Sequence, residues 1–402
     1  MNADELLGDV KRNLLYWQSQ LQGLDDERIR QLSPRHESLR WAVDLGIRFG
    51  ETRVETAVLL LAAFLWIERE RREQAWLPLI KRLLKTTEIQ QAPKLHTQLN
   101  IHYGILLRLN AQLQQAQQIH QQTLANLPAQ TPLAQIANLH YQLSETYRRQ
   151  HNLPAAIHHA EKAKIILEAP QQDNALLAKV VNTLGLLHLD SGQLWAANQF
   201  FQKALSLEHQ INQPTRLARV LNNLALTAKR QQKHEQALIY YSQSLECLEG
   251  TSNIADRVTI YINQGSLYFA QQNWSAAEAA FHYAQSLLDQ QPGLFYFEAM
   301  VSMNLGKVAE ARRQYKHALI QLKKSRQLWQ QVDDPIYLAN VYGTMAEIHA
   351  AQGDAQTAHG TFQTAIELLT PHREHAWGRL RLQEFKAAQQ KLPNNFERQN
   401  AS

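Results

Sequence analysis

Residues 181–205 read VNTLGLLHLDSGQLWAANQFFQKAL, residues 221–245 read LNNLALTAKRQQKHEQALIYYSQSL, and residues 261–285 read YINQGSLYFAQQNWSAAEAAFHYAQ. The three strings are one pattern written three times. Extending outward on the small residue that follows the first hydrophobic pair gives Ala63, Gly104, Ser144, Gly185, Ala225, Gly265, Gly306 and Ala346. Successive anchors are 40 or 41 residues apart, and twelve residues after each one stands an alanine: Ala75, Ala116, Ala156, Ala197, Ala237, Ala277, Ala318 and Ala358. Four residues further on a bulky ring is frequent, as at Phe201, Tyr241, Phe281 and Phe362, while His120 and Ala160 depart from the rule.

A small residue on one helix and an alanine on the next let two backbones approach closely, and a ring fills the space beside them. Each period therefore reads as two antiparallel helices. Turn residues such as Ser191-Gly192, Gln272-Asn273 and Gly353-Asp354 separate the two helices of a period. Prolines mark the junctions between periods, at Pro93, Pro132, Pro170, Pro214, Pro292, Pro335 and Pro371, where they can open a helix but could not sit inside one.

This code resembles the tetratricopeptide repeat, with Tyr261, Gly265, Tyr268, Ala277 and Phe281 matching the W-x2-L-G-x2-Y, A-x3-F pattern. The family's usual period is about 34 residues, so these units are longer by roughly six. The longer period is similar to that of helical sensor regions in bacterial regulators of the STAND and MalT-like type. In such proteins a motif like E-H-x-N-L-R-x-A-L opens the array; here His36, Leu39, Arg40 and Ala42 fit it and Ser38 replaces the asparagine. The resemblance implies an all-α, right-handed superhelical solenoid of about eight helix pairs that binds another polypeptide along its concave groove. No G-x-x-x-x-G-K-[ST] occurs, since Gly306-Lys307 is followed by valine, so the ATPase part of such regulators is missing.

The expected organisation is a helical extension over 1–50, the repeat array over 51–370, and a capping helix with a frayed tail over 371–402. The extension reads as helices near Asp4 to Gln22 and Ser38 to Phe49, joined by a polar link from Leu24 to Pro34.

Charge and composition narrow the function classes. The net charge of +5 comes from 41 basic and 36 acidic residues spread along the chain, weak evidence for direct nucleic-acid binding. A single cysteine, Cys247, rules out an internal disulfide. The apolar run Ala57 to Ile67 falls well short of a membrane span, and MNADELLGDVKR lacks the apolar core of a signal peptide, so a cytoplasmic location is expected. None of the 17 histidines pair four residues apart, and the group His372, Glu374, His375 has no third partner, so neither a metal nor any other cofactor is expected. Nucleophile signatures such as G-x-S-x-G are missing, and the chain reads as no enzyme.

Helical periodicity gives the first helix of each unit two opposed faces. One carries the packing code. The other carries Arg148, Arg149, Lys179, Asn182, Arg219, Asn222, Asn223, Lys229, Arg230, Asn263, Asn304, Lys307 and Asn340, with Tyr141, Leu186, Leu226, Phe269 and Met303 among them. Asn223, Asn263 and Asn304 share one register position, so their amides could pair with the backbone of an extended peptide. The basic residues on the same face would favour a partner bearing carboxylates. The expectation is a non-enzymatic scaffold or sensor module for a protein or peptide, with self-association left open; the alternative is a regulatory subunit of a nucleic-acid-linked or transcriptional signalling system.

Overall fold

The protein is described by a computed structural model covering residues 3–24, 26–70, 73–169, 173–251, 253–291, 293–372 and 376–393. Pro170, Pro292, Glu374, His375 and the tail beyond Pro393 lie outside the described residues. Among the described residues the chain is helical throughout, without a strand, and it divides into two compact units, Met1–Gln213 and Pro214–Ser402.

The first unit holds α1 (Ala3–Gln20), α2 (Asp26–Leu32), α3 (His36–Arg48), α4 (Arg53–Glu70), α5 (Glu73–Leu84) and the single turn α6 (Thr87–Gln90). It continues through α7 (Pro93–Leu109), α8 (Leu113–Ala125), α9 (Leu133–Arg149), α10 (Leu153–Leu167), α11 (Asn174–Asp190) and α12 (Leu194–Ile211). The second unit holds α13 (Pro214–Arg230), α14 (His234–Cys247), α15 (Ile254–Ala270), α16 (Trp274–Gln290), α17 (Phe295–Ala311), α18 (Tyr315–Val332), α19 (Pro335–Ala351), α20 (Ala355–Leu369) and α21 (Ala376–Gln390). Eight first-and-second helix pairs, α4/α5 and then α7/α8 to α19/α20, match the eight anchors of the sequence. One expectation is corrected: the stretch from Leu24 to Pro34 is not a plain polar link, because Ile29 and Leu32 bury one face of α2 in the core.

The packing code works as its chemistry requires. A side chain on Gly185 would meet the Phe201 ring at 2.5 Å, and one on Gly265 would meet the Phe281 ring at 2.6 Å. In these two pairs the ring of the second helix thus occupies the space that a side chain on the first would need. Where the ring position is His120, the imidazole takes the same place over Gly104 and its Nε2 bonds the Ile101 carbonyl at 3.1 Å. The seven alanines from Ala116 to Ala358 are fully buried. Ala75 is only half-buried, because α4 and α5 touch slightly whereas the helices of the other pairs run packed along each other. In that first pair α4 turns its inner face to the N-terminal helices, with Trp66 beside Trp17 of α1 and Thr56 against Gly46 of α3.

Helix ends follow from local chemistry. Pro93, Pro214 and Pro335 are the first residues of α7, α13 and α19, where a missing N–H costs nothing. Asn152, Asn273 and Asp354 accept a hydrogen bond from the backbone N–H three residues on and so cap α10, α16 and α20. α21 closes the second unit by laying Phe385 over Gly343, where an added side chain would come within 2.0 Å of the ring.

Candidate functional site

The face of the first helices turned away from the second helices carries the residues expected to bind a partner, and each unit presents its own stretch of it. In the first unit Arg148, Arg149, Lys179 and Asn182 lie on α9 and α11. Arg148 is not a free cation there: its guanidinium lies 3.3 Å from the Glu145 carboxylate. Arg108 of α7 approaches the same carboxylate at 3.6 Å and donates to the Gln142 side chain at 2.9 Å. Thr183 of α11 donates its hydroxyl to Glu145 at 2.9 Å. Burial by itself would raise the Glu145 pKa, but the Arg148 and Arg108 charges and the bonds from Arg148 and Thr183 overcome it and hold the group below the usual carboxylate range. Sequence reading missed Glu145, Gln142 and Thr183. Their only signal is that they share the register positions of the residues that were singled out.

In the second unit the amides are arranged in a stagger. Asn263 of α15 donates to Asn222 of α13 at 3.0 Å, a bond between neighbouring register positions and not along the single column the sequence suggested. Asn223 is 9% exposed. Asn304 is half-buried and makes no side-chain hydrogen bond among the described residues. Asn340, placed on the open face by periodicity, is instead 1% exposed. α19 buries that position against α17, where the Asn340 amide points at the Met303 sulfur, 3.5 Å away.

The cations of this stretch differ in their company. Arg219 is paired with Asp256 of α15 at 2.8 Å. Arg230 is exposed. Burial lowers the pKa of Lys229, and the Arg230 charge lowers it further. Burial likewise lowers Lys307, with Arg381 of α21 adding to it.

Beside Lys307 lies a cleft of ≈ 360 Å³ lined by Phe269, Lys307, Glu310, Ala311, Arg313, Tyr315 and Ala351. Glu310 is pushed up to about 7, chiefly by burial and next by the Glu347 charge on α19. Glu347 is raised as well by the protein around it, although its own side chain reaches solvent. In the sequence nothing separates Glu310 and Glu347 from ordinary solvated acids on a helix face. Arg381 carried no repeat signal at all, since it comes from the capping helix. Cys247 is half-buried, and burial raises its pKa, so it has none of the character of an activated nucleophile. No group of three metal-ligating side chains occurs among the described residues.

The sequence pattern of the tetratricopeptide repeat matches residues 216–288 and 297–370. Those two stretches are tetratricopeptide repeats. In the second unit these repeats comprise α13 to α20, and the pairs of the first unit continue the same anchor spacing. No curated protein matches the chain. Among solved structures it is similar to the apo form of RapI, at 13% identity with a TM-score of 0.60, over 91% of this chain and 99% of that one. A Rap protein in complex with competence and sporulation factor has a TM-score of 0.54 at 14% identity, over 84% and 99% of the two chains. The STAND protein of Pyrococcus horikoshii with a tetratricopeptide repeat sensor has a TM-score of 0.58 at 11% identity, over 86% of this chain and 55% of that one. At these identities the likeness shows the fold. No helix among the described residues is long and apolar enough to cross a membrane.

Proposed function

We propose that the chain is a non-enzymatic binding module that takes up a segment of another polypeptide on its first-helix faces. The observation that carries this reading is the ≈ 360 Å³ cleft of the second unit, which has half-buried Lys307 and Glu310 in its lining, with half-buried Lys229 on the same face of α13. Lys229, Lys307 and Glu310 all have pKa values moved toward their neutral forms, and none makes an ion pair or side-chain hydrogen bond among the described residues. Packing does not call for such groups, and partly desolvated charges held by longer-range attraction alone, as Lys307 and Glu310 hold each other, gain from a ligand that supplies direct contacts. The amides of Asn222, Asn263 and Asn304 would meet the backbone of an extended segment, and Lys229 with Arg230 would meet a carboxylate on it. Similar folds in complex with a partner, a Rap protein with competence and sporulation factor and NprR with its cognate peptide NprX, support a peptide or protein as the partner.

The test is capture from the native host, identification of the bound protein by mass spectrometry, and titration with the purified partner. Changing Asn222, Asn263 and Asn304 together to alanine is expected to weaken binding at least about tenfold, since each lost hydrogen bond is worth roughly 0.5–1.5 kcal/mol. Reversing the charge of Lys229 should chiefly slow association and reduce its salt dependence. A partner bound equally well by the parent and both variants would remove the first-helix face from consideration.

A further inference from the structure

The first helix of the array has a side that every later first helix keeps covered. Counting from the anchor, the residues five before and two after it are at most 2% exposed in all seven first helices from α7 to α19, as with Leu139 and Thr146 or Ile260 and Leu267. This is the upstream side, which receives the preceding helix pair; close to it, two residues before the anchor, Gln142 of α9 meets Arg108 of α7 and Asn263 of α15 meets Asn222 of α13. In α4 the same two positions are Val58, 46% exposed, and Leu65, 37% exposed; Val54, one turn earlier, is 42% exposed.

Other sides of α4 are occupied, by α7 and by the N-terminal helices in place of a closely packed α5. Phe64 stacks on His102 of α7 with ring centres 3.7 Å apart, and Trp66 and Thr56 face α1 and α3. Among the described residues the apolar surface that α4 leaves open is the upstream side. It is a continuous apolar stripe of Val54, Val58, half-buried Leu61 and Leu65, with exposed Ala62 beside it. The spacing of the four is 4, 3 and 4 residues. That is the seam along which two helices pack knobs into holes, so a second α4 carries the complementary surface.

We propose that this stripe is a dimer interface in which α4 packs antiparallel against α4 of a second copy of the chain. The arrangement is self-complementary, as a two-fold contact requires: Val54 faces Leu65 of the other copy and Val58 faces its Leu61. Helix polarity favours the antiparallel direction. A parallel pair would bring the two like helix ends together, with exposed Glu55 of the first turn and exposed Glu51 of the turn just before it meeting their own copies. The dimer restores to the first helix the cover that every later one already has.

Sedimentation equilibrium of the full chain tests this, with a concentration-dependent dimer expected for the parent. The double change Val58→Glu with Leu65→Glu should weaken self-association by about a hundredfold or more, because two charges per copy would be buried in an apolar seam. Its circular dichroism and melting should stay those of the parent, since both side chains face solvent in the single chain. As a second readout independent of that variant's folding, a Val58→Cys chain is mixed with a Leu61→Cys chain, both carrying Cys247→Ser. An intermolecular disulfide is expected in the mixture and not from either chain alone. A parent that stays monomeric at tens of micromolar, a folded glutamate variant that dimerises like the parent, or a mixture that forms no cross-link overturns the proposal.

Discussion

Seven of the described turns between a first and a second helix place a residue at positive φ seven positions after the anchor, and only Gly192 and Gly353 among these residues are glycine. Ala111, His151, Gln232, Gln272 and Arg313 hold the same left-handed conformation at φ between 57° and 63°. The conformation is imposed by the turn. The next N–H reaches back five residues, as Asn273 does to the Tyr268 carbonyl at 2.9 Å, which closes the end of the first helix. A side chain in this region costs roughly 1 kcal/mol or more, whereas glycine adopts it freely but loses more chain entropy on folding. Gln272→Gly and Arg313→Gly are therefore expected to stabilise the protein by about 0.5–1 kcal/mol each, read as a raised urea midpoint with an unchanged slope. A lowered midpoint in both would show that the side chains at these turns contribute contacts that outweigh the strain.

Between elements, the Arg108, Glu145, Arg148 and Thr183 cluster ties α7, α9 and α11 together on the face first read as a binding surface. Glu145 is the hub, since two guanidinium groups and a hydroxyl converge on it, and it is 8% exposed. Replacing it by the neutral Glu145→Gln would leave buried Arg108 without its counter-charge and half-buried Arg148 with the Asp190 charge alone, an imbalance that typically costs about 3 kcal/mol. The same principle makes the second half of the prediction. Exchanging Arg108, Glu145 and Arg148 together for leucine should recover most of that loss, because a buried ionic cluster contributes little net stability over apolar packing. Chemical unfolding of the two variants beside the parent distinguishes these outcomes; equal losses in both would mean that the cluster's geometry, and not its charge balance, holds the three helices.

Over the whole molecule, the two units should answer acid in opposite directions. In the first, burial presses His102 and His120 down to about 4. An unfolded histidine takes its proton near 6.5, so between about 6.5 and 4 the unfolded chain binds more protons and the unit loses stability as pH falls. In the second, Glu310 is raised from 4.5 to about 7. There the folded chain holds the extra proton over that interval, and stability is lost as pH rises through it. Hydrogen exchange at pH 5 and pH 7, corrected for intrinsic rates, should show protection falling at pH 5 in residues 93–125 and rising in residues 295–351. His120→Phe keeps a ring over Gly104 and should abolish part of the first effect; an unchanged acid response would place its origin elsewhere.

The sequence by itself determined the helix pairs, their order and the close-approach code. Those features depend on residue size at a fixed spacing, and size at Gly185, Ala277 or Phe281 means the same thing in every repeat. The amphipathic division of each first helix was legible for the same reason. Only the tertiary structure decided which polar side chains on that division remain available. Arg148 and Arg219 looked like free cations until Glu145 and Asp256, on their own or a neighbouring first helix, were seen to pair with them. Asn340 looked solvent-facing until α17 covered it. The open side of α4 was invisible for a related reason, since Val58 and Leu65 are as apolar as their buried counterparts. Periodicity fixes where a residue sits around its own helix, whereas exposure and charge depend on what the neighbouring helices bring to that place.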